Sequence, residues 1–355
     1  MLFKNKYNDG LKRYYPKKKN WVFGRVSDSS NIINLSGDYR DCLPSEEKQR
    51  QYGLELMLCV SGSANNTEES ILINYLMKNN KLHPSTVKFL KDNGYLDKNG
   101  KVNLNDWFLA KTSFTTKNGN TGNKVFAARR KFGAIPESMR PWTPDLNTWN
   151  KFYVKPERKH YAMGEEYNKR LILNNEIVYK DDFGEALKES PLQVYVDGHY
   201  KVRGGIYQNS NRLATHAVAL VYQDDNYNYI FDTYPPFLKK FVRDYNFYTV
   251  RNFWTGKKIS YGYKVKITEQ IIDKFMIKTI KERHNPRIYL IDEVGKQLYH
   301  IGGMVFYSIA KEANWIQPFY EVDKIAKTFP DYKIVDNSIN DKESFMKEII
   351  SKIQN

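Results

Sequence analysis

The chain has 355 residues, 41% hydrophobic and 15% aromatic, enough apolar side chain for a real core and too much for global disorder. Its formal charge of +16 suits polyanions, and solvated lysines with no specific contact account for that charge equally well. The two cysteines, Cys42 and Cys59, exclude a multi-disulfide framework and lack Cys-x-x-Cys spacing, which argues for a reducing compartment and against a metal site.

Residues 1–37 read as an irregular basic arm, in which Lys12-Arg13 and Lys17-Lys18-Lys19 flank Tyr14 and Tyr15 in a pattern suited to non-specific polyanion contact. Met1-Leu2-Phe3-Lys4-Asn5 lacks the apolar core of a signal peptide, and no apolar run reaches 18 residues. The expectation is therefore no secretion by the common route and no membrane span. Apolar residues at helical spacing predict a helix that starts near Cys59 and runs through residues 68–77. A second short helix is expected over 84–90, closed by Asn93-Gly94, and a polar loop over 115–123. Alternation predicts a hairpin from 216–221 and 227–231 around Asp224-Asp225-Asn226. Beyond residue 260 we expect an amphipathic helix capped by Thr268, a hairpin over 287–301 with its turn at 293–296, and a closing helix over 341–353. No chemistry is assigned to that part.

Three separated stretches carry a chemical pattern: Leu58-Cys59-Val60-Ser61-Gly62-Ser63-Ala64, Thr215-His216-Ala217-Val218-Ala219 and Phe231-Asp232-Thr233-Tyr234. A thiol is a poor nucleophile near neutral pH unless an imidazole takes its proton and a third polar group aims that imidazole. Cys59, His216 and Asp232 supply those groups. Taken alone, Cys59 would be a core cysteine and His216 a satisfied core histidine. The remaining histidines, His83, His160, His199, His284 and His300, have no following Asp-Thr-Tyr.

Other segments stand around these in order. Asp38-Tyr39-Arg40 precedes Gln51, with Gln49 as an alternative; Gly133-Ala134-Ile135-Pro136-Glu137 is followed by Pro141-Trp142; and Ser190-Pro191-Leu192-Gln193-Val194-Tyr195-Val196 is followed by Gly204-Gly205-Ile206-Tyr207. Together, over roughly residues 38–235, they resemble the papain and cathepsin family of cysteine peptidases. Cys59 to His216 spans 157 residues, slightly more than the roughly 130 to 150 seen there, consistent with an insertion around 145–180. The departures are the residues before Cys59, where glycines are absent, and Val60 and Tyr234, which replace indoles.

The resemblance implies an α+β papain-like fold of two lobes, a helical one presenting Cys59 and an antiparallel β one presenting His216 and Asp232. The expected domains are the arm at 1–37, a peptidase domain at 38–260 and a small accessory α/β module at 261–355. It further implies a catalytic set of Cys59, His216, Asp232 and Gln51, with Gly204, Gly205 and Tyr234 contacting a protein or peptide substrate, and no cofactor or metal. The disulfide-free, looser motif set is similar to proteins of bacteriophage genomes. That likeness sets an alternative beside the enzyme: a catalytically weak scaffold in the cytoplasm or a virion, assembling with other proteins through its C-terminal module.

Overall fold

A computed structural model describes residues 10–16, 22–23, 32–79, 81–252 and 254–270, the strands at 279–282, 288–292, 297–301, 320–322 and 333–335, and residue 331. In chain order the first part contains β1 (Arg50–Gln51), β2 (Leu54–Glu55), α1 (Cys59–Asn74), α2 (Pro84–Asp92), α3 (Asp106–Thr112), α4 (Gly122–Phe132), α5 (Trp149–Phe152) and α6 (Arg158–Arg170). A strand-rich half follows: β3 (Leu171–Tyr179), α7 (Phe183–Leu187), β4 (Leu192–Val196), β5 (Lys201–Arg203), β6 (Ile206–Gln208), β7 (His216–Gln223), β8 (Tyr227–Phe231), β9 (Leu238–Val242), β10 (Tyr248–Arg251) and β11 (Lys258–Glu269). The order of the sheet is β10-β11-β4-β7-β8-β9-β6-β5, with β3 also on β11, and only the β6–β9 pairing within it is parallel. The molecule is thus of the α+β class, a helical part against an antiparallel-rich sheet.

All 16 residues of α1 are buried, although nine of them are polar or charged. A helix apolar all round is the usual occupant of such a position. Here most of the polar side chains are given partners instead. The hydroxyls of Ser61, Ser63, Thr67 and Ser70 donate to carbonyls one turn back, Asn65 donates to Asp106 Oδ1, and Glu69 accepts from the Leu104 N–H. Glu68 meets Arg129 of α4 at 2.8 Å, both buried, and takes a hydrogen bond from Tyr167 of α6. This network explains why an unremarkable hydrophobic pattern still yields the central helix.

The expected hairpin forms as β7 and β8, and its turn is stabilised by Asp224 Oδ1, which accepts from the N–H groups of Asn226 and Tyr227. The short helix is α2, opened by His83 and followed by Gly94 at φ 73°. Asp38-Tyr39-Arg40 ties a connecting segment to that hairpin: the Tyr39 N–H reaches Val221 O, and Arg40, bidentate to Asp38, stacks over Tyr222 and Tyr229. The stretch where an insertion was expected holds α5, α6 and β3.

The break placed after residue 260 falls inside β11. That strand pairs with β3 in an unbroken register from Tyr261↔Tyr179 to Glu269↔Leu171, and Tyr261, Tyr263, Val265 and Ile267 are core residues. The first compact unit accordingly runs from Met1 to Ile271 and the second from Ile272 to Asn355. Thr268 lies in β11 and caps no helix. The rest of that expected helix and the one at 341–353 lie outside the described residues. In the second unit, β12 (Thr279–Glu282), β13 (Ile288–Asp292), β14 (Gln297–Ile301), β15 (Tyr320–Val322) and β16 (Lys333–Val335) form a mixed sheet in the order β15-β12-β13-β14-β16. Its β13–β14 pair is the hairpin expected over 287–301.

Candidate functional site

Cys59 is the first residue of α1, His216 the first of β7, and Asp232 the residue after β8. The pairing of β7 with β8 returns the chain to its start, so that His216 Nε2 and Asp232 Oδ1 lie 2.7 Å apart. Both side chains are fully buried. The Asp232 carboxylate is saturated: Oδ1 also accepts from the Tyr234 N–H at 3.3 Å, and Oδ2 accepts from Lys239 Nζ at 2.7 Å and Tyr200 Oη at 2.8 Å.

Burial works against the charge on Asp232, but His216 and Lys239 outweigh it and hold the carboxyl far below its usual range. Burial likewise works against the His216 imidazolium, and the charge and hydrogen bond of Asp232 overcome it. The Cys59 thiol pushes the same way, so the ring is raised well above an ordinary histidine. Nδ1, the nitrogen not held by Asp232, has no complete hydrogen bond, and Cys59 is the group besides Asp232 that favours the charged ring. Both cysteines are free thiols and both are buried. Cys42 stands elsewhere, 3.7 Å from Asn74 Nδ2, with its pKa pushed up by burial.

The other expected residues divide. Tyr234 joins the cluster, its ring 5.2 Å from that of His216. Gln51 does not: it sits on β1 and lines a cavity of about 280 Å³ with Glu47, Asp106, Trp107 and Glu137. Gln49 takes the inner place. It is buried, its Nε2 donates to Tyr234 Oη at 2.6 Å and Glu55 Oε1 at 2.9 Å, and its Oε1 accepts from Thr233 Oγ1. Gly204 and Gly205, with φ of 57° and 77°, form the exposed turn of the β5–β6 hairpin. Nothing lies within 4 Å of where their side chains would begin.

Reading the sequence alone missed Lys239, Tyr200 and Glu55. The only signal for Lys239 was alternation in Leu238-Lys239-Lys240-Phe241, which places Lys239 and Phe241 on the buried face together. The segment before Cys59 has no glycine after Gly53, yet it takes a glycine-like backbone. Met57 adopts φ 55°, the left-handed conformation that glycine takes without strain, and its N–H is held by Glu55 Oε1 at 3.1 Å.

The amino-terminal arm enters the site. Asn120, between α3 and α4, donates from N–H to Gly10 O at 2.7 Å and accepts from the Lys12 N–H at 2.5 Å, while the Leu11 N–H reaches Thr215 O at 3.3 Å. Thr215 immediately precedes His216. Gly10, at φ 102°, lies against Met57 so closely that a side chain would begin 2.8 Å from the Met57 carbonyl oxygen. Leu11 is buried, and Lys12 Nζ donates to Thr116 rather than pointing to solvent unpaired. The arm thus links the helical half to the β half beside Cys59. Lys17, Lys18 and Lys19 lie outside the described residues.

Among the described residues no group of three or more His, Cys, Asp and Glu side chains could hold a metal ion, and no helix is long and apolar enough to cross a membrane. No family model and no curated protein matches the chain. Among solved structures it is similar to digestive procathepsin L 3 of the Tenebrio molitor larval midgut, at 16% identity and a TM-score of 0.41 over 72% of this chain and 76% of that one. It is also similar to xylellain, a cysteine protease from Xylella fastidiosa (13%, TM-score 0.44, 72% of this chain and 95% of that one). The cysteine protease CMS1MS2 of Carica candamarcensis in complex with E-64 is similar at 14% identity and a TM-score of 0.42, over 66% of this chain and 97% of that one.

Proposed function

We propose that this protein is a cysteine peptidase that hydrolyses peptide bonds through Cys59, His216 and Asp232. The observation that carries this reading is the buried His216–Asp232 pair at 2.7 Å, with the Cys59 thiol at a helix amino terminus acting on the same imidazole. A raised imidazole and the amino-terminal end of α1 both favour a thiolate. The thiolate attacks the carbonyl carbon, and the imidazolium returns its proton to the departing amine. Water, deprotonated by the neutral imidazole, then cleaves the thioester. Asp232 orients the ring. The oxyanion is held by the Cys59 backbone N–H and by a glutamine amide, for which we assign Gln49 in place of Gln51 because Gln49 lies beside Thr233 and Tyr234. Protein or peptide is the substrate class.

The test is alkylation of the native protein at about pH 6 by a thiol-directed electrophile, followed by mass mapping. Cys59 should react far faster than Cys42, and His216→Ala should abolish that excess. Equal, slow labelling of both thiols would sink the reading. A second reading, a scaffold with weak catalysis, is favoured by a Gln49 amide already committed to Glu55 and Tyr234. It predicts fast labelling of Cys59 without cleavage of an unfolded protein substrate.

A further inference from the structure

We propose that Lys239 is a positioning residue that offsets part of the Asp232 charge, so that the carboxylate raises His216 less than a bare one would. The proposal rests on the peptidase reading above.

Lys239 lies on the inward face of β9, between the exposed Leu238 and Lys240, and is only 2% exposed. Its Nζ meets Asp232 Oδ2 at 2.7 Å and also donates to the carbonyl oxygen of Tyr234, the residue whose ring faces His216. The ammonium sits 5.6 Å from the Tyr200 ring and 6.0 Å from the Tyr207 ring. The remaining ionisable side chains facing the cluster are Cys59 from α1, Tyr200 ahead of β5, Tyr207 on β6 and Tyr234 after β8. Glu55 of β2 stands one hydrogen bond further out through Tyr234. Lys239 is therefore the one fixed cation among the described groups that touches the carboxylate.

A bare buried carboxylate beside His216 would hold the imidazolium more firmly and make it a weaker acid toward a leaving amine. Lys239 offsets part of that hold, and burial in turn lowers the Lys239 pKa while Asp232 works to keep it charged. The pair is overall neutral, and so is a thiolate with an imidazolium, which leaves no net charge in a site closed to water.

Two pH profiles of the full chain test the assignment: ¹⁵N titration of the His216 ring, and the rate of Cys59 alkylation. In Lys239→Met the His216 midpoint and the basic limb of alkylation should both move up by about one pH unit or more, the effect of losing an opposing charge at this range. In the double variant Asp232→Asn with Lys239→Met, which replaces the charged pair by neutral groups and guards against misfolding of the single variant, both should fall by at least about one unit below the Lys239→Met values. A structural ion pair alone would leave the His216 midpoint unmoved in Lys239→Met, and that result, or a double variant that stays at the Lys239→Met values, overturns the proposal. A wild-type Cys59 that alkylates like an ordinary thiol would defeat the peptidase reading, and the histidine titration would still decide the role of Lys239.

Discussion

Gln49 and Gln51 differ by two positions and by everything that matters for an oxyanion donor. Gln49 lies just before β1 and Gln51 within it, so strand alternation does not relate the two; Gln49 faces Tyr234 and Gln51 lines the neighbouring cavity. If the assignment above is right, Gln49→Ala lowers kcat on a peptide substrate by about a hundredfold or more, the usual loss for one oxyanion donor. Gln51→Ala should leave it within a factor of about two. The comparison of the two variants in one assay settles which amide stands over the thiol. The 13-residue distance from Asp38 favoured Gln51 in the sequence, and no local signal there told which glutamine stands beside Tyr234.

At the scale of elements, α1 carries the sharpest consequence. Glu69, buried on it, is raised well above an ordinary carboxyl by its burial and by Glu47. Burial also pushes Glu47 up to about 8 and Asp106 up to about 7. Carboxyls whose folded pKa exceeds the unfolded value bind their protons more tightly in the native state. Their contribution is complete below about pH 4 and lost as pH rises toward 8. Raised His216 acts in the same direction above about pH 6.5. Thermal melts should therefore show a lower Tm at pH 8.5 than at pH 5. Glu69→Gln, which retains the acceptor for the Leu104 N–H, should flatten that slope and gain roughly 1 kcal/mol at the alkaline end.

The same helix shows why some elements were legible and others not. The β7–β8 hairpin and α2 announce themselves through alternation, an Asp-initiated turn and a Pro-led start, all local signals. The position of Cys59 at a helix amino terminus was legible from the ordered motifs. The burial of Glu68, Glu69 and Asn65 was not, since it depends on Arg129, Tyr167 and Asp106, which arrive from distant segments. For β11 the misreading was one of period: Thr268-Glu269 looked like a helix start, while the strand preceding it gains its pairing from β3, some ninety residues earlier. Lys239 escaped notice because a buried lysine is chosen by its partner and cannot be told from a solvated one by spacing.

Across the whole molecule, the Gly10–Lys12 segment lies against Met57 and Thr215, close neighbours in sequence of Cys59 and His216, and we expect it to limit how often Cys59 is reached. An extended segment that pairs with Asn120 on one side and Thr215 on the other uses backbone groups that an incoming peptide would also use. If the released form is one molecule in about a hundred, every substrate meets an apparent affinity weakened by about a hundredfold, however well the site itself is built. Deleting residues 1–16, or replacing Gly10 by Val so that the side chain collides with the Met57 carbonyl, should speed Cys59 alkylation by an order of magnitude or more. The shape of its pH profile should stay the same, because the arm changes the time the thiol is reachable and leaves its chemistry alone. A synthetic peptide of residues 8–16 added back to the shortened chain should slow labelling in proportion to its concentration. The Gly10–Lys12 segment would then set the clock of the thiol beside it.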